Sequence, residues 1–193
     1  MNFNEHVKTS WNLSLKFIIP LIILTLVMFG ISFLSLGILA PAMMAGYIDS
    51  LFKLIREQRE PKVNDLFSQM KLFLPLLGFG IVAFIITSIG FLILFIPGLV
   101  ILAALSFCCI YMLPLMVDKE INLLDAIRES YSMAISGEVM EHLVLVILYF
   151  GIMMIGSSIF IGSLFTLPFA TLLLLLVYCI LLGPRTSSVF KTS

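Results

Sequence analysis

The sequence predicts an all-α fold: a polytopic membrane helical bundle. Three observations carry this expectation. First, 61% of the 193 residues are hydrophobic and only 11% are charged, whereas a soluble domain carries about 25% charged residues. Too few polar side chains remain to cover a water-facing surface. Second, three stretches (17–48, 72–117 and 143–184) contain no Asp, Glu, Lys or Arg. Each is longer than the roughly 20 residues of one membrane-crossing helix. Third, the charged residues gather in the termini and in two polar segments, 49–71 and 118–142, which separate the apolar stretches.

Taken in order, each apolar stretch reads as a helical hairpin. A single helix over 17–48 would be about 48 Å long at 1.5 Å per residue, well beyond a hydrocarbon core of about 30 Å. A first hairpin over about 13–55, turning between Gly30 and Gly37, fits better. It places Lys16, Asp49 and Lys53 near the membrane ends, where lysines snorkel to the headgroups and a carboxylate is harder to accommodate. The stretch 17–39 exceeds a signal-peptide apolar region and is read as a retained membrane segment. The second hairpin covers 72–117. Its turn is placed at Ile96-Pro97-Gly98, because Pro97 suits the first turn of a helix and Gly98 permits a bend. The third covers 139–182, with Gly156, Ser157, Ser158, Gly162 and Ser163 supplying turn residues. Pro41, Pro97 and Pro168 each come early in a second arm. VNDLF and LLDAI precede the second and third hairpins, the pattern of a weak internal repeat. Helical hairpins also resemble one another on packing grounds, so both origins stay open.

All 11 Lys and Arg lie in four segments: 1–16, 49–71, 118–142 and the C-terminal tail. With six crossings these segments share one face, cytoplasmic by the positive-inside rule, with both termini inside and uncharged turns outside. Five crossings also obey the rule; helix length favours six. This implies one multi-pass domain over 1–193 in a bacterial cytoplasmic membrane.

Two cytoplasmic segments, 60–71 and 120–136, are amphipathic. In EINLLDAIRESYSMAIS, residues Ile121, Leu124, Ile127 and Tyr131 recur at helical spacing and form a candidate face for lipid or a protein partner. Asn122 is placed to cap that helix, with Asp125 near its positive end. In 60–71, Asn64 is expected to cap a short helix whose apolar face is Val63, Leu66, Phe67 and Met70. Ala42/Gly46 and Ser158/Gly162 are small-residue pairs that allow close helix packing.

Three stretches carry a family resemblance: PAMMAGYIDSLFKLIREQREPKVNDLF, FIPGLVILAALSF and PLMVDKEINLLDAIRESYSMAISG. They are similar to segments of the YciC-like bacterial integral membrane proteins and of the membrane domain attached to some glycerophosphodiester phosphodiesterases. The resemblance implies a six-span bundle and a membrane location. It brings no catalytic residue, because no phosphodiesterase domain accompanies these segments.

The chemistry-bearing residues are sparse. Glu138, Glu141 and His142 are helical neighbours, but a metal site in a bundle needs matching ligands on other helices, so they are read as a solvated helix entrance. Cys108, Cys109 and Cys179 lie in apolar segments and are read as packing residues. Zero net charge and the lack of a basic run argue against nucleic acid. No nucleotide-binding or nucleophile motif occurs, and no catalytic, metal or cofactor residue is assigned. The expected role is a non-enzymatic scaffold or accessory protein binding lipid or a partner through its cytoplasmic face. The alternative is a small transporter or permease for an apolar or lipid-like solute, with helices kinked at Pro20, Pro41, Pro75, Pro114 and Pro168.

Overall fold

The computed structural model describes residues 3–93, 95–136, 139–157 and 160–181. Among them the secondary structure is entirely helical. Nine α-helices follow in order: α1 (Phe3–Lys16), α2 (Ile18–Leu34), α3 (Ala40–Glu57), α4 (Phe73–Ile93), α5 (Phe95–Cys109), α6 (Met112–Asp118), α7 (Leu123–Ser136), α8 (Val139–Ser157) and α9 (Phe160–Leu181). Two 3₁₀ turns, Val63–Phe67 and Met70–Leu72, connect α3 to α4.

The prolines explain many of the helix starts. Pro20, Pro41, Pro75, Pro97 and Pro114 each occupy the second or third residue of a helix. A missing N–H costs nothing there, since the first turn has no intrahelical acceptor for it. Among the described residues only Pro168 lies beyond the first turn of a helix, in α9. Helix ends use left-handed residues. Leu36 (φ 52°) and Gly37 (φ 81°) close the α2–α3 turn, and Gln58 (φ 53°) ends α3 with its N–H on the Leu54 carbonyl. That turn falls at the late end of the predicted window, and Gly30 plays no part in it. Gln58 also stops α3 three residues before Pro61.

Three of the helical segments are long and apolar enough to cross a membrane: 63–93, 95–118 and 162–181. Counting the bent pair α1–α2 as one span makes four. The six predicted crossings therefore reduce, on length and composition, to three or four. Two helices fall short for identifiable reasons. Asp49, Lys53, Arg56 and Glu57 charge the second half of α3. The apolar part of α8 runs only from His142 to Gly156.

The Pro97-Gly98 turn needs correction. Both residues lie inside α5 (Phe95–Cys109), which packs against α4. Gly98 serves a close approach instead: a Cβ on it would lie 2.5 Å from the Phe91 ring. A Cβ on Gly90 would lie 3.0 Å from the Gly98 Cα. The third hairpin uses the same device. A Cβ on Gly156 would overlap the Thr166 side chain, and one on Gly162 would meet the Gly156 carbonyl oxygen at 2.8 Å. Ser158, the other member of the predicted pair with Gly162, lies outside the described residues.

α9 is the central helix, with every residue from 170 to 179 buried. It packs against α8, α1, α2 and α3. α1 was expected only as a polar terminus, yet it is a helix that meets α2 at an 82° elbow and sets Trp11 edge-on to Phe169. The α4–α5 hairpin projects from this bundle. Leu74, Phe84, Leu92 and Phe95 are at least 70% exposed on it, as suits side chains that face acyl chains.

Enlarging Gly98 to Val forces β-branches into the Phe91 ring. Overpacking of this kind costs about 1–3 kcal/mol, so Gly98→Val should lower the thermal unfolding midpoint in detergent micelles. Gly30→Ala, with nothing within 4 Å of the new Cβ, should not. Equal midpoints for both variants would rule out the close approach.

Candidate functional site

The charged residues that interrupt the apolar sequence converge on α3 and the linker behind it. The linker folds back along the helix instead of lying away from it. Gly46 makes this fit: a Cβ there would lie 2.7 Å from the Asp65 carbonyl oxygen and would overlap that of Leu66. The small-residue spacing predicts another helix against Gly46; its close neighbour is instead the 3₁₀ turn at Asp65 and Leu66. Ala42, its companion, is fully buried.

Asp65 is the centre of the clasp. It is 7% exposed. Its carboxylate accepts from the Ser50 hydroxyl (3.1 Å), the Lys53 ammonium (3.3 Å), the Lys62 N–H (3.2 Å) and the Arg59 guanidinium. Burial by itself would push this carboxyl up. Arg59, Lys53 and the Lys62 N–H outweigh it and hold the group below the ordinary carboxylate range. Asp49 is likewise accommodated: Lys53 lies 2.5 Å away and the Ser68 hydroxyl donates to it at 2.7 Å. The same side chains settle which way the linker faces. Asp65 and Gln69 point inward, while Val63, Phe67 and Met70 are 38–46% exposed. Of the predicted apolar face only Leu66 is buried, and Asp65, not Asn64, caps the turn.

A second cluster joins α3, α6, α8 and α9. Arg56 pairs with Asp118 at 2.6 Å, and the Tyr178 hydroxyl donates to the same carboxylate at 3.2 Å. Phe52, Tyr111 and His142 pack around Tyr178, with Tyr111 between His142 and Tyr178. His142 bonds through Nε2 to the Phe107 carbonyl at 2.9 Å. This carbonyl lies in the last turn of α5, just before the break between α5 and α6. His142 is thus a buried packing residue and not a solvated one. Glu138 and the Glu141 side chain lie outside the described residues. No group of three or more potential metal-ligating side chains occurs among the described residues.

α7 begins after Asn122, whose carbonyl takes the Ala126 N–H at 2.9 Å. Its predicted face divides. Ile121 and Ile127 pack against the core together with Ala126 and Ala134. Leu124 and Tyr131 turn outward, 68% and 52% exposed, and Ile135 joins them at 51%. Lys119 and Glu129 pair beside α7, and Lys71 and Glu120 tie its approach to the start of α4. Cys179 is buried and Cys109 half-buried; the Cys108 side chain lies outside the described residues. Sequence reasoning did not find Asp65, Ser50 and Ser68. The available signal was Asp49 four residues before Lys53, a helical ion-pair spacing.

Comparison with known proteins returns no matching family model, no matching curated protein and no matching solved structure.

Two predictions test the clasp. Asp65→Asn removes a carboxylate that meets two cations, each about one-third exposed. The cost should be about 2 kcal/mol, between exposed and buried pairs, read as a lower unfolding midpoint. Because the folded carboxyl sits below its ordinary value of about 3.9, its contribution is present above that pH and lost as pH falls through the folded value. Hydrogen exchange over 63–68, corrected for intrinsic rate, should stay slow down to about pH 5 and quicken below about pH 4. Slow exchange throughout would show that another contact holds the linker.

Proposed function

We propose that this chain is a non-enzymatic scaffold or accessory protein of a bacterial cytoplasmic membrane, presenting α7 to a protein partner or to lipid. The observation that carries the reading is the outward stripe Leu124, Tyr131 and Ile135 on a helix whose other side is locked into the bundle. Apolar side chains at such positions serve recognition, whereas scattered ones need no explanation. Val63, Phe67 and Met70 add an exposed apolar strip on the other polar linker.

The topology we propose with it has three hairpins, six crossings and both termini inside. Support comes from the confinement of all 11 basic residues to segments that then share one face. α3 completes a crossing because Asp49 and Lys53 are paired within the protein, the condition under which charge is tolerated near lipid. The resemblance to the YciC-like and phosphodiesterase-associated membrane domains supports the same architecture.

One observation favours transport as a second reading. A groove of about 200 Å³ lies beside the α5–α6 break, lined by Ser106, Cys109, Pro114 and Tyr149 among apolar neighbours. Broken helices beside a cavity are the usual form of solute sites.

Leu124→Asp with Tyr131→Asp should abolish partner recovery from native nanodiscs while the unfolding midpoint stays unchanged. Ile127→Asp, whose side chain packs against the core, should instead unfold the protein. Full partner recovery with the folded double variant would refute the α7 role; solute flux in liposomes would turn the reading to transport. For the topology, Ser35→Cys in a cysteine-free background should react with an impermeant thiol reagent from outside, and reaction only from the cytoplasmic side would refute six crossings.

A further inference from the structure

α7 lies along the side of a membrane-crossing segment and not beyond its end. α5 and α6 together form the apolar segment 95–118, and α7 packs against both. α8, the next helix, is bonded through His142 to the Phe107 carbonyl. At 1.5 Å per residue, Phe107 lies about 16 Å before Asp118. α7 therefore turns back along the segment it follows, and the fully buried Ala126, Ser130 and Ala134 form its seam with the bundle. The opposite face of α7 looks away from the bundle beside that segment, where a bilayer surrounds it.

One line of exposed side chains runs along this face: Leu124, Arg128, Tyr131 and Ile135. Steps of four, three and four residues keep them on one side of a helix. The line is apolar except for Arg128. Among the described residues no carboxylate pairs with Arg128, and Glu129 beside it is taken by Lys119. A guanidinium set in an apolar line calls for an anion that brings apolar surface with it. A phospholipid has both, since its phosphate accepts two guanidinium N–H groups at once and its acyl chains begin just below. The methylene stem of Arg128 lets the charged head rise to the phosphate layer. Tyr131 and Ile135, further from the polar end at Asp118, then lie among the chains. We propose that the face of α7 binds the bilayer, with Arg128 on a phospholipid phosphate and Tyr131 and Ile135 against acyl chains. This rests on the reading of α7 as the recognition face and assigns that face to lipid instead of a protein partner.

The full chain is reconstituted in phosphatidylcholine vesicles containing a phosphatidylglycerol with a photoactivatable diazirine in one acyl chain. Adducts are mapped by peptide mass spectrometry. The wild-type chain should carry them on Tyr131 and Ile135 and also on the exposed α4–α5 hairpin, the internal control. Arg128→Ala should lower labelling of α7 about fivefold relative to the hairpin, the weight of one basic residue near an anionic lipid. Arg128→Lys should keep most of it. A labelled hairpin beside an unlabelled α7 overturns the proposal, and the wild-type chain alone decides this if a variant fails to insert. Labelling of α7 that survives Arg128→Ala at full strength overturns it as well. If α7 is unlabelled and Leu124→Asp with Tyr131→Asp still releases a co-purified protein, the lipid assignment falls while the recognition role of α7 stands. If α7 is unlabelled and the double variant releases nothing, both fall.

Discussion

A carboxylate pressed against an apolar helix must be paired or it destabilises the fold, and Asp65 meets that condition with contacts on both sides of itself. Ser50 and Lys53 reach it from α3, and Arg59 and Lys62 from the linker. The linker can supply them only by folding back along α3, and it folds back only because Gly46 leaves room for the backbone at Asp65 and Leu66. That reversal places the 3₁₀ turns against α3 and sets the starting point of α4. It also turns Val63, Phe67 and Met70 outward. The direction in which the second hairpin leaves the bundle depends on it.

The interior of the bundle follows a different physics. α9 contributes an unbroken buried run, and α1, α2, α3 and α8 close around it. In lipid there is little hydrophobic drive between helices, so close packing and a few hydrogen bonds must hold them. Gly90 against Gly98 and Gly156 against Gly162 supply the packing. Thr25 to Tyr47 (3.2 Å), His142 to the Phe107 carbonyl, and Tyr178 to Asp118 supply the bonds. The α4–α5 hairpin has its own glycine contact but few contacts with the bundle beyond its ends, which explains its exposure.

These two regimes meet at the ends of α3, α6 and α9, where Arg56, Asp118 and Tyr178 join the charged side of the molecule to the aromatic interior. α7 is fastened to the same region through α6. A partner or lipid engaging Leu124 and Tyr131 would therefore press on this ion-paired junction.

Composition alone determined the class of molecule: apolar runs longer than any soluble helix needs leave a helical membrane bundle as the physical outcome. The prolines marked helix starts, because a residue without an N–H is tolerated in the first turn, and the α2–α3 turn was legible within a few residues. Small-residue spacing singled out Gly46 but did not show that its neighbour is the backbone at Asp65 and Leu66. The tertiary structure decided what each polar residue faces. Of the stripe Ile121, Leu124, Ile127 and Tyr131 only the Ile residues pack against the core, because the fully buried face of α7 carries Ala126, Ser130 and Ala134 while Leu124 and Tyr131 are exposed. Gly98 looked like a turn residue because a glycine that bends the chain and one that admits a neighbouring ring are identical in one dimension. Asp65 looked like a solvated linker charge, since its partners lie up to 15 residues away on a helix it reaches only after the chain reverses.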